Sequence, residues 1–183
     1  MNQTFAHSLN PSLSTERLLL EPLISQHAFS LYSVLSDVRI YQWIESGKPP
    51  PSLEWLETQW KELESRMSPD GQCARLNWAL KVKNTGSYVG KFDVEVNESR
   101  VATNVGFVLT PTAWGKGYAT EALRAITSHL KEHEVNRFHA TVARGNLASV
   151  RVLLKSQFQF LGAYPHEKET DEYVLNLGVD VPE

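Results

Sequence analysis

Gly115 and Gly117 stand one residue apart, after an apolar run and before an amphipathic one. Two glycines at a helix start leave the first turn's backbone N–H groups bare, with no Cβ to obstruct a large anion. Those donors, with the positive end of the helix dipole, make a nest for phosphate or pyrophosphate. The segment is not a Walker A loop, because the lysine and Ser/Thr that close GxxxxGK[ST] are absent. Nor is it a dinucleotide fingerprint, since Ala119 and Thr120 follow Gly117 and no third glycine stands at the required place. A strand-to-helix turn with no ligand would carry the same two glycines.

The elements that must hold this turn are legible on both sides of it. Val105, Phe107, Val108 and Leu109 suit a buried strand, and Pro111 ends it because proline cannot donate to a ladder. Ala119, Ala122, Leu123, Ile126 and Leu130 then recur at spacings of three and four, the mark of a helix with one apolar face. Other groups able to move protons lie elsewhere. Asp93 and Glu95 share one face of the preceding strand, His139 lies in a later strand, and Ser149 falls one turn into the helix after Asn146. Each also reads as an ordinary residue: the carboxylates as solvated surface groups, Asn146 as a helix cap, Ser149 as an exposed helical serine.

Taken in order, residues 1–14 are polar with Pro11 and predict a flexible arm, leaving 15–183 as one domain. Thr15 to Leu23 reads as a strand stopped by Pro22, and Ser25 as the cap of a helix reaching about Leu35. Tyr41 to Ile44 is aromatic, Ser46 to Pro51 is an extended loop, and Ser52 caps a helix carrying Leu53, Leu56, Trp60, Leu63 and Met67. Alternation from Cys73 to Val82 predicts a half-buried strand, paired through a hairpin at Asn84 to Gly86 with Tyr88 to Val96. A strand bearing Phe138, Ala140 and Val142, a second helix and a final hairpin around Leu161 to His166 and Tyr173 to Leu177 complete the chain. The expected class is α+β: a central, mostly antiparallel mixed sheet flanked by helices.

Composition narrows the functions. With 183 residues, 42% of them hydrophobic, and a net charge of −3, the chain lacks the basic excess that nonspecific nucleic-acid binding needs. No apolar run approaches membrane-spanning length, and the N-terminus has no basic segment ahead of an apolar core. A single cysteine forms no intrachain disulfide, which fits a reducing, cytoplasmic setting. The six histidines show no spaced ligand set, and His129 with His133 alone would seldom hold zinc, so no metal is expected.

The segment Thr112-Ala113-Trp114-Gly115-Lys116-Gly117-Tyr118-Ala119 resembles the pyrophosphate loop of the GNAT acetyltransferases, Q/R-x-x-G-x-G/A, which wraps the diphosphate of acetyl-CoA. Its continuation WGKGYATEAL is similar to the Rim-type branch, which acetylates ribosomal-protein N-termini. Thr15 to Leu23 resembles that branch's opening T-x-R-L-x-L-R/E-P-L strand, and Ala140 to Phe160 its A-x-V-x-x-x-N-x-x-S-x-R-V-L-x-K-x-G-F segment. Thr112 replaces the usual Gln or Arg, Trp114 a frequent Arg, Gln157 a Gly and Asn104 a common Glu.

The resemblance implies a GNAT fold splayed at the middle of its sheet, with acetyl-CoA as co-substrate and an amine as acceptor. It implies that Phe107, Val108 and Leu109 bind the pantetheine arm through their backbone. Thr112, Trp114, Gly115, Lys116, Gly117, Tyr118, Ala119 and Thr120 would hold the pyrophosphate, and Asn146 would contact the arm. Ser149 would protonate the leaving thiolate, and no tyrosine stands two turns after Asn146 to do so instead. For the base, Asp93 and Glu95 are the candidates carried forward, beside Glu45, His139 and a water chain. The acceptor is expected between Tyr41, Trp43 and Glu45 on one side and the final hairpin with Tyr164, His166, Glu167, Glu169, Asp171 and Glu172 on the other. Dimers are common in that branch, so a homodimer is a further expectation. The competing reading is a non-catalytic acyl-CoA-binding module, which Asn104 keeps open because an amide accepts no proton usefully.

Overall fold

The computed structural model describes residues 2–44, 47–166 and 169–177. In chain order the elements are α1 (Gln3–Ser8), β1 (Leu13–Ser14), β2 (Leu18–Pro22), α2 (His27–Leu35), a 3-10 turn (Val38–Trp43) and α3 (Leu53–Leu63). There follow β3 (Ala74–Val82), β4 (Tyr88–Val96), β5 (Val101–Leu109), a short 3-10 turn (Pro111–Ala113) and α4 (Tyr118–Glu132). The last elements are β6 (Arg137–Ala143), α5 (Leu147–Lys155), β7 (Gln159–Ala163) and β8 (Thr170–Asn176). The final hairpin therefore begins two residues before its expected first strand. Among the described residues no helix is long and apolar enough to cross a membrane.

The strands make one mixed sheet in the order β1-β2-β3-β4-β5-β6-β8-β7. Every pairing is antiparallel except that of β5 with β6. Two apolar clusters, one on each face, explain why the sheet carries helices on both sides. Leu76, Trp78, Phe92, Val94 and Phe138 pack with α1, α4 and Leu153 of α5, whereas Ala79 packs with Leu31 of α2 and Leu56 and Trp60 of α3. The expectation of a half-buried β3 is thus corrected: α2 and α3 cover its second face, and Asn77 and Ala79 are buried too.

Two caps differ in outcome. Ser52 accepts the Trp55 N–H at 3.1 Å and starts α3 as its type predicts. Ser25 does not cap α2; the N-cap is Gln26, which makes no side-chain cap bond, and the Ser25 N–H is taken by Glu64 Oε1 at 2.9 Å.

The flexible N-terminal arm is also corrected. Asn2 caps α1 by accepting the Phe5 N–H at 2.8 Å, and Ala6 and Leu9 are fully buried in the main core. Asn10 Nδ2 donates to the Asn77 carbonyl, the Trp78 indole N–H donates to the Pro11 carbonyl at 2.9 Å, and Arg100 lies over the Phe5 ring at 3.8 Å. Short apolar residues spread through a polar segment give no periodic signal, so only the tertiary contacts reveal this packing. Leu9→Ala should therefore destabilise the chain by about 2–5 kcal/mol, the range for deleting a buried leucine side chain. Denaturant titration checks it, and a change under about 0.5 kcal/mol, the scale of a neutral surface substitution, would return residues 1–14 to the status of an arm.

Candidate active site

The parallel seam between β5 and β6 consists of only two partner pairs, Val101 with Arg137 and Ala102 with Phe138. Beyond them the strands part, and a bulge shows where. Asp93 faces Gly106 and Glu95 faces Thr103, so β5 holds an extra residue between these pairs, and Asn104 sits there at φ 51. Asparagine tolerates this left-handed conformation better than most residues, and its amide donates to Glu95 Oε2 at 2.7 Å. Asn104 is thus fully accounted for as the residue that turns β5 away from β6.

The opened seam forms a cleft of about 490 Å³. Its walls are the 105–109 backbone of β5, the 140–143 stretch of β6, the turn into α4, the first turns of α5 and the 3-10 turn ending at Trp43. The Thr110 N–H bonds to the Val89 carbonyl across the ladder. Antiparallel alternation then aims the main-chain groups of Val108 at β4 and those of Phe107 and Leu109 at the seam. Of the three residues expected to offer backbone to a ligand, Phe107 has its main chain turned to the seam, away from β4. Leu109 faces the cleft, but its carbonyl is taken by the Trp114 indole N–H at 2.8 Å. Val108 lines the cleft with its main chain committed to the sheet.

At one end of the cleft lies the glycine turn. Gly115 and Gly117 have φ of +72 and +81, the left-handed region that explains why glycines stand here. A Cβ at Gly115 would meet nothing within 4 Å. Gly117 is the N-cap of α4 and brings no capping side chain, so the first-turn N–H groups of Tyr118, Ala119 and Thr120 stay available at the positive end of a 15-residue helix. Trp114, Gly115, Gly117, Tyr118, Ala119 and Thr120 all line the cleft; Thr112 and Lys116 are exposed and do not.

The other end is built by α5. Asn146 is its N-cap and accepts the Ser149 N–H at 3.2 Å, which leaves the Asn146 amide N–H₂ free to donate into the cleft it lines. Ser149 is half-buried on the cleft wall. Gly145, at φ +92, lies beneath the Trp43 ring, so close that a Cβ would stand 3.1 Å from it. Arg144 is held by Asp171 at 2.9 Å, which ties the final hairpin to the same turn.

Several expected site residues lie elsewhere. Asp93 and Glu95 line a separate depression of about 260 Å³ with Arg75, Asn77, Lys91 and Asn104. Glu95 is engaged by Arg75 Nε at 3.0 Å and by Asn104, whereas Asp93 pairs with Lys91 through one oxygen and keeps Oδ1 buried without a partner among the described residues. Tyr41 is half-buried and donates its hydroxyl to the Leu35 carbonyl at 2.7 Å, away from the cleft. Tyr164 is not on the cleft wall either; its ring meets His166 edge-on at 5.4 Å. His139 is paired with Glu172 at 2.6 Å. Glu45 and Glu167 lie outside the described residues.

Three groups escaped the reading of the sequence as site residues. Thr15, Arg17 and Glu121 meet behind the glycine turn, although 104 positions separate the last two. Glu121 Oε1 accepts the Thr15 hydroxyl at 2.6 Å and the Arg17 N–H at 2.8 Å, and Oε2 accepts Arg17 Nε at 2.6 Å. Burial by itself would raise the Glu121 carboxyl, but these hydrogen bonds and the guanidinium charge hold it below the usual carboxylate range. The stretch TERL reads as part of a strand and ATEA as part of a helix; their pairing is a contact that spacing alone does not show.

Comparison with known proteins agrees with this geometry. Residues 17–159 match the model of the acetyltransferase (GNAT) domain. An uncharacterized N-acetyltransferase of Bacillus subtilis, YoaA, is 25% identical over 154 residues, covering 81% of this chain and 83% of its own. Among solved structures, RimL, a ribosomal L7/L12 alpha-N-protein acetyltransferase in complex with coenzyme A, superposes with a TM-score of 0.77 at 18% identity, over 91% of this chain and 98% of that one. AAC(6')-Ib in complex with ribostamycin and coenzyme A superposes with a TM-score of 0.72 at 18% identity, over 88% and 94%. At that identity the two structural likenesses concern the fold. With the domain match spanning most of its length, and with an opened parallel seam leading to a bare helix start, the chain belongs to the GNAT acetyltransferase family.

Proposed function

We propose that this acetyltransferase passes the acetyl group of acetyl-CoA directly to a primary amine in a ternary complex, and that it is of the Rim-type branch. The observation that carries the reading is the seam that stops after Ala102 and Phe138 and opens toward the glycine turn. The residues present fit the co-substrate. Bare N–H groups from Gly117 onward suit a diphosphate, and the seam-facing backbone of Phe107 suits an amide-bearing arm added like a strand. A cytoplasmic setting goes with this reading, since acetyl-CoA is the co-substrate and Cys73 is the single cysteine.

When bound, acetyl-CoA supplies the acyl thioester; the C–N bond forms as the C–S bond breaks. The chain has to hold the two ends together, take a proton from the amine and give one to the sulfur. Ser149 is the donor in this reading, because its hydroxyl lines the cleft one turn into α5 with the backbone clamped by Asn146. Asp93 is the acceptor of the amine proton. It faces Gly106 across the ladder, and Gly106 lines the cleft without a side chain of its own; a Cβ there would meet nothing nearer than 3.7 Å. Glu95, with both oxygens engaged, orients Asn104 and the bulge.

The acceptor then enters beside Trp43, which is 41% exposed and walls the cleft with Gln42. The RimL likeness and a serine at position 149 support a protein N-terminal amine; AAC(6')-Ib shows the same fold in complex with ribostamycin. Mass spectrometry on pooled peptides, polyamines and aminoglycosides decides the class: a gain of one acetyl group on peptide N-termini supports the Rim-type reading, and labelling confined to small amines removes it.

Three substitutions test the assignments. Gly117→Glu should abolish coenzyme A binding by calorimetry while circular dichroism stays native, because the left-handed position costs a residue with a Cβ only about 1–2 kcal/mol, and the added carboxylate fills the anion site. Unchanged affinity would refute the pyrophosphate assignment. Ser149→Ala should lower kcat about 100-fold with acetyl-CoA affinity preserved, the scale of a general-acid contribution; an unaltered kcat would pass thiolate protonation to water. Asp93→Asn should cost about 10²–10⁴-fold in kcat on the acceptor found, and a loss below about threefold would exclude Asp93 as base.

A further inference from the structure

The contact between Arg17 and the glycine turn goes beyond support of the fold. The Arg17 guanidinium donates through Nη1 to the Lys116 carbonyl at 2.9 Å, binds Glu121 and lies 4.9 Å from the centre of the Tyr118 ring. It reaches within 3.3 Å of the place a Cβ would take on Gly117. Its own main chain is fixed, since the Lys83 N–H bonds to the Arg17 carbonyl at 3.0 Å. One side chain therefore spans the turn from residue 116 to the first turn of α4.

Two consequences follow from elementary chemistry. The Lys116 carbonyl and the Gly117 N–H belong to one trans peptide, so they point in opposite directions. Holding that carbonyl on Arg17 aims the Gly117 N–H the other way, toward the cleft that Gly117 lines. Secondly, Glu121 brings a negative charge into the first turn of α4, where an anionic ligand must also bind. A bare carboxylate there would repel a diphosphate, and the ion pair with Arg17 cancels its charge.

We propose that Arg17 is a positioning residue for acetyl-CoA, setting the Gly117 N–H and neutralising Glu121 from behind the loop without touching the ligand. This rests on the assignment of the glycine turn to the diphosphate. It predicts a loss confined to the co-substrate. Thr15 has the lesser part of steering the Glu121 carboxylate, by its 2.6 Å hydrogen bond.

The experiment compares wild type, Arg17→Ala, Arg17→Lys and the double variant Arg17→Ala with Glu121→Gln, using coenzyme A calorimetry and steady-state kinetics with acetyl-CoA. Arg17→Ala should raise Kd and the acetyl-CoA KM about tenfold, roughly 1.4 kcal/mol, with kcat at saturation within about twofold. The double variant should recover part of that loss, because it removes the stranded charge. Arg17→Lys, which keeps the charge but not the fork that reaches Lys116 and Glu121 together, should fall between them. A lowered thermal midpoint with unchanged Kd and KM in Arg17→Ala, or a double variant no better than the single one, would overturn the proposal. If Arg17→Ala fails to fold, the same ordering is read from Arg17→Lys against wild type, and equal affinity there overturns it as well. Wild type that does not bind coenzyme A would instead sink the diphosphate assignment underneath.

Discussion

The structure depends on a pairing that stops. β6 satisfies its outer edge fully, with seven partner pairs to β8, and β5 is paired along its length with β4, yet the two share only two pairs between them. Past Ala102 and Phe138 the facing edges carry main-chain donors and acceptors with no strand opposite. In a buried position such groups need partners, and an extended ligand bearing amides can act as the absent strand. The proposed active site is thus a defect in the sheet that the rest of the fold keeps open.

What keeps it open is local and can be named. The bulge at Asn104 bends β5 out of register, and the bond from its amide to Glu95 stops the bulge from relaxing. On the far side, Trp43 over Gly145 and Arg144 on Asp171 hold the turn that starts α5, so Ser149 and Asn146 face the cleft from a fixed helix end. The carboxylates of the final hairpin are spent in part on this bracing: Asp171 binds Arg144 and Glu172 binds His139. Close by, β4 meets β5 so tightly that a Cβ at Gly90 would fall 2.0 Å from the Val108 carbonyl. These contacts brace both walls of the unpaired seam, the arrangement that preorganised sites require.

The two charged clusters of the sheet have different jobs. Behind the glycine turn, Glu121 is fully satisfied by Thr15 and Arg17 and serves geometry. In the second depression Asp93 retains an oxygen without a partner among the described residues, while its neighbour Glu95 is engaged on both sides. A buried acceptor left unsatisfied is costly, so its position next to the open face of Gly106 is the more informative of the two arrangements.

Much of this was legible in the chain itself. The β5 to α4 stretch, the caps at Ser52 and Asn146, the β3 to β4 hairpin and the left-handed glycines follow from local rules of pattern, capping and backbone sterics, which act between residues a few positions apart. So does the family, because TERL, WGKGYATEAL and the Asn146 to Lys155 segment are contiguous stretches with distinctive spacing. Three things were decided only by the tertiary structure. Leu9 and Ala6 turned a polar arm into a core element, the Tyr41 hydroxyl went to the Leu35 carbonyl, and Arg17 found Glu121 across 104 positions. Each joins groups remote in sequence whose types fit several partners equally well. The choice among partners is made by which surfaces the sheet brings within reach, and no periodicity in one dimension encodes that.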